Sequence, residues 1–74
     1  KMVGVFIYLK NGENHCFLVG NNKKKEVRED INSMIHGQEF LELTNSDNDD
    51  YFICRTNSID IVLVADAVEK NAIS

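Results

Sequence analysis

The 74-residue chain has no proline, only two cysteines and no apolar run approaching eighteen residues. The missing proline goes with an absence of linkers, repeats and low-complexity segments, so one domain over residues 1–74 is expected. Two cysteines make at most one bridge, which excludes the disulfide framework of a small secreted scaffold and favours a cytoplasmic location. The short apolar runs exclude a membrane-spanning helix. Basic charge is also scarce: eight Lys and Arg against twelve Asp and Glu leave a net charge of −4. That balance argues against a general nucleic-acid binder.

The patterns that carry metal or catalytic chemistry are missing too. No C-x-x-C or H-x-x-x-H spacing occurs. His15 and Cys16 are neighbours in a predicted strand and so point to opposite faces. With His36 and Cys54 they make no ligand set, and both cysteines are expected to be buried, unreactive hydrophobes. The acidic stretch Asp47, Asp49 and Asp50 fails as a calcium loop, because Phe52 and Ser58 stand where glycine and glutamate are required. Gly4, Gly12, Gly20 and Gly37 are too scattered for a phosphate loop. Strand thiols lack the electropositive setting that activates a nucleophile. No cofactor and no enzymatic activity are expected.

What is present is a clear sequence of elements. Met2 to Leu9 is a β-branched and aromatic strand. Asn11-Gly12 is a hairpin turn, read as two residues that tolerate positive φ, and His15 to Gly20 returns from it. Asn21 and Asn22 offer a helix cap. Val27, Ile31, Met34 and Ile35 then form an apolar stripe at helical period, predicting a helix from about Lys24 to His36 with Gly37 as its C′ residue. Glu39 to Thr44, Tyr51 to Thr56 and Ile59 to Ala65 are three further strands, and a polar tail runs from about residue 66. The fold class is α+β: a small twisted antiparallel sheet or partial barrel of about five strands with one amphipathic helix, in the order β-β-α-β-β-β.

Strand parity suggests more than one subunit. The first, fourth and fifth strands are apolar on both faces, whereas one helix covers one face. Either curling of the sheet into a barrel or a second subunit must cover the other; a homo-oligomer is expected, with Phe6, Tyr8, Val62 and Val64 as candidate contact residues. Val62 and Val64 are taken as surface that the helix leaves uncovered.

Lys23, Lys24, Lys25 and Arg28 form a basic patch at the helix start, where the macrodipole disfavours cations. Such a patch could hold phosphate, so a nucleic-acid-binding small β-barrel is the alternative function. Its bland counterpart is a solvated helix end with Lys25 paired to Glu29. Opposite charges on Lys23–Lys25 and Asp47–Asp50 could also steer two copies together. Nine Asn, seven Ile and six Lys suit an AT-rich bacterium or phage. The leading expectation is a non-enzymatic interaction or structural module.

Overall fold

The computed structural model describes residues 2–20 and 23–67. Among the described residues five strands and one helix follow in the order β-β-α-β-β-β, as the sequence predicts. They are β1 (Val3–Leu9), β2 (Asn14–Val19), α1 (Lys24–Gly37), β3 (Phe40–Thr44), β4 (Tyr51–Arg55) and β5 (Ile59–Asp66), with a 3₁₀ turn at Thr56–Ser58 before β5. The predicted tail beyond residue 67 lies outside the described residues.

The strands divide into two antiparallel sheets, β2-β1-β5 and β3-β4, and the barrel is not closed. The sheets touch along the outer edge of β2, where Ser46 donates its backbone N–H to the Leu18 carbonyl at 2.7 Å. The Asn45 side chain supports that junction by accepting from the Leu18 backbone at 3.4 Å, and it also accepts from the Asp47 backbone within its own loop at 3.1 Å.

Local chemistry explains the turns, with some differences from expectation. The β1–β2 turn is a three-residue loop, Lys10-Asn11-Gly12. Gly12 donates to the Leu9 carbonyl at 3.0 Å, and Leu9 donates to Glu13 at 2.8 Å. Only Gly12 adopts positive φ, at 95°, and the Asn11 side chain instead accepts from the Glu13 backbone at 2.9 Å. The left-handed residue therefore sits after a right-handed turn, a bulged hairpin rather than a two-residue one. The helix cap is also displaced. Lys23 is the N-cap and makes no side-chain cap bond, while Asn21 and Asn22 lie outside the described residues. Gly37 is the last helical residue rather than a left-handed C′, and Gln38 closes the end by donating to Met34 at 2.9 Å.

The core joins Val3, Val5 and Ile7 of β1, Val27 and Ile31 of α1 and Leu41 of β3. The β1 register sets the faces. Val5 lies opposite Phe17 on β2 and Val64 on β5; Ile7 lies opposite His15 and Val62. All of these residues share the inner face, because directly opposed residues on neighbouring strands point the same way. The structure thus corrects the placement of Val62 and Val64: they are half-buried and packed against the core on the helix side.

Candidate functional site

The opposite face of the β2-β1-β5 sheet is left open. It is built from Gly4, Phe6 and Tyr8 on β1, Asn14, Cys16 and Leu18 on β2, and Ile61, Leu63 and Ala65 on β5. No residue in this set carries a formal charge. Tyr8 is 39% exposed, Leu63 51% and Ile61 57%; Phe6, Leu18 and Ala65 are half-buried. The Phe6 ring folds back along its own strand, with its Cε2 3.3 Å from where a Cβ on Gly4 would sit. Glycine therefore makes room for an aromatic ring lying flat on the sheet.

Three strands about 4.8 Å apart and six residues at about 3.3 Å per residue give this face roughly 300 Å². Exposed apolar patches of that size on small proteins are often functional. The depletion of charge is what the centre of a protein interface shows. The outer face of β3-β4 differs: Arg55 lies 5.0 Å over the Phe40 ring and pairs with Glu39 at 2.7 Å, so charge covers part of it.

The self-association candidates split between faces. Phe6 and Tyr8 lie on the open one, Val62 and Val64 on the inner one. The true companions of Phe6 and Tyr8 are their cross-strand partners Leu63 and Ile61. Alternation within β5 shows that 61, 63 and 65 face away from 62 and 64. Which set faces the helix is decided by pairing with β1, and no local signal reports that.

Cys16 is also placed differently from expectation. It lies opposite Phe6 on the open face and is exposed, whereas Cys54 is half-buried on β4. Burial pushes the Cys54 thiol above its ordinary value. His15 points inward from β2, as neighbouring strand positions require, and its ring centroid lies 5.1 Å from that of Phe52.

Two of the four basic residues of the helix-start patch meet acids. Lys23 Nζ lies 3.8 Å from Glu26 and Lys24 Nζ 3.4 Å from Asp66 at the end of β5. Among the described residues, no ion pair joins Lys25 to Glu29. The Asn45–Asp50 loop is closed by its own turns, in which Asn48 accepts from Asp50 at 3.0 Å and Asp49 sits at φ 62°. No group of three His, Cys, Asp or Glu that could hold a metal ion occurs among the described residues.

A groove of about 320 Å³ runs between α1 and β5. Ile35, Ile59, Val62 and Val64 supply apolar lining, and Arg28 and Asp60 stand in its wall. Arg28 thus flanks β5, one helical turn after Lys24. No helix among the described residues is long and apolar enough to cross a membrane. Comparisons with protein-family models, curated proteins and solved structures find no match to this chain.

Proposed function

We propose that the protein is a non-enzymatic, homo-oligomeric interaction or structural module, with the open face of the β2-β1-β5 sheet on the side of β5 as its contact surface. The observation that carries this reading is the uncharged face itself, in a chain with 27% charged residues. Ile61, Leu63 and Tyr8 supply exposed apolar area beside half-buried Phe6. A second copy of an acidic chain meets such a face without opposing like charges. The exposed thiol of Cys16 suits a reducing, cytoplasmic setting, and the Asn-, Ile- and Lys-rich composition suits a bacterial or phage source.

Nucleic-acid binding is not favoured by a specific observation, because Lys23 and Lys24 already face acids. Sedimentation across micromolar concentrations tests the proposal. The native chain is expected to associate, and Leu63→Lys is expected to remain folded and monomeric. A native chain that stays monomeric at high micromolar concentration overturns it.

A further inference from the structure

A face of about 300 Å² falls short of the roughly 800 Å² per partner that a standard stable interface buries. Apolar contact over that face needs a second source of affinity, and β5 offers one. β5 is an edge of its sheet, and among the described residues nothing hydrogen-bonds along its far side. Ala67 donates to the Met2 carbonyl at 3.0 Å. In an antiparallel ladder bonded pairs alternate, so Ala65, Leu63 and Ile61 spend their backbone groups on Gly4, Phe6 and Tyr8. The N–H and C=O groups of Val62 and Val64 therefore point outward, and no described residue hydrogen-bonds to them. Natural edges are blunted by proline, lysine or a bulge. From Ile61 to Ala65 this edge has neither proline nor lysine, and its one irregularity lies at the far end of the strand, beside Asp60.

We infer that a second copy of the chain pairs antiparallel along β5 on a two-fold axis at Leu63, joining two three-stranded sheets into one of six. The inference rests on the self-association proposed above and narrows its contact to the β5 margin of the open face, Ile61, Leu63 and Ala65, with Phe6 and Tyr8 one strand away from the seam. Val62 exchanges both backbone bonds with the partner's Val64, and Val64 with the partner's Val62. Leu63 meets the partner's Leu63 on the open face at a non-hydrogen-bonded position, where Cα atoms come within about 4.5 Å. Ile61 lies opposite the partner's Ala65, a large side chain against a small one.

The ends of the seam bring the partner's Asp60 beside Asp66. Lys24, 3.4 Å from Asp66 and half exposed, supplies the cation between the two carboxylates. This gives the helix-start lysine a use that helix stability does not. A second copy fits better than an unrelated extended peptide, because the edge is self-complementary in hydrogen bonds and side-chain size under one two-fold.

The geometry is tested with Leu63→Cys in a Cys16→Ser background, oxidised by glutathione disulfide. A covalent dimer is expected to form about tenfold faster than for Tyr8→Cys in the same background, since only position 63 sits on the axis within disulfide reach. A second measurement uses Cys16 in the otherwise native chain. Cys16, Phe6 and Leu63 stand in one row across the sheet, so five strand spacings separate the two Cys16 backbones by about 24 Å. Spin labels on Cys16 should report a separation near that value, allowing for their linkers. An oligomer that gives neither the Leu63→Cys dimer nor this distance overturns the β5 seam and leaves the self-association reading standing. A monomer at high micromolar concentration removes both.

Discussion

Phe17 of β2 and Phe52 of β4 meet with ring centroids 4.5 Å apart and planes at 45°, and this contact packs one sheet against the other. His15 extends the cluster with its ring 5.1 Å from Phe52. Both phenylalanines are half-buried, so the pair adds aromatic contact at the margin of the aliphatic core. Phe52→Ala is expected to cost about 2–3 kcal/mol, and Phe52→Leu about 1 kcal/mol. Urea unfolding measures both; a Phe52→Leu variant as stable as the native chain would show that the ring geometry contributes nothing beyond volume.

Ile31 lies mid-stripe on α1 and is only 3% exposed. Ile31→Ala should destabilise the chain by about 2–4 kcal/mol, a large fraction of the stability of so small a domain. An unchanged thermal midpoint would show that the stripe does not hold the helix to the sheet.

The glycines at the two turns should respond in opposite directions. Gly37 is helical, lacks positive φ and has no neighbour within 4 Å of an added Cβ. Gly37→Ala is expected to stabilise by about 0.5–1 kcal/mol through helix propensity and a less flexible unfolded chain. Gly12→Ala, at φ 95°, should destabilise by about 1 kcal/mol. Paired chemical denaturation curves check the two signs.

The cysteines should be kinetically distinct. Exposed Cys16 is expected to react readily with a thiol reagent in the native state, while Cys54 reacts slowly. Burial raises the Cys54 thiol, so the unfolded chain loses that proton at lower pH than the folded one. Stability from this group is complete below the ordinary thiol range and declines as pH rises through it. The labelling rate of Cys54 against pH, read by mass spectrometry, should lag behind that of a free thiol. Equal rates at both sites would contradict the structure.

Oligonucleotide binding should be weak at physiological salt, since Glu26 and Asp66 offset Lys23 and Lys24. A steep fall of affinity with salt, in log–log form, would revive the nucleic-acid reading.

The local elements were legible in the residues themselves. The Asn11-Gly12 hairpin, the amphipathic helix and three further strands follow from turn chemistry and from periods of 2 and 3.6, which act over a few residues. Even the excess of apolar strand faces could be counted from alternation. What alternation leaves open is which half of a two-faced strand turns inward. In β5 both halves are apolar, so hydrophobicity could not choose between Val62 with Val64 and Ile61 with Leu63. Register against β1 chose, placing Val62 opposite Ile7 and Val64 opposite Val5, beneath the helix. The same register put Cys16 opposite Phe6 on the open face. Long-range pairing also brought Asp66 to Lys24 across 42 positions of chain, setting beside a basic cluster an acid that lies far from it in sequence. The residues alone determined the elements and their order, because those depend on neighbours along the chain. Only the tertiary structure decided the faces, because a strand's inside is defined by the strand beside it.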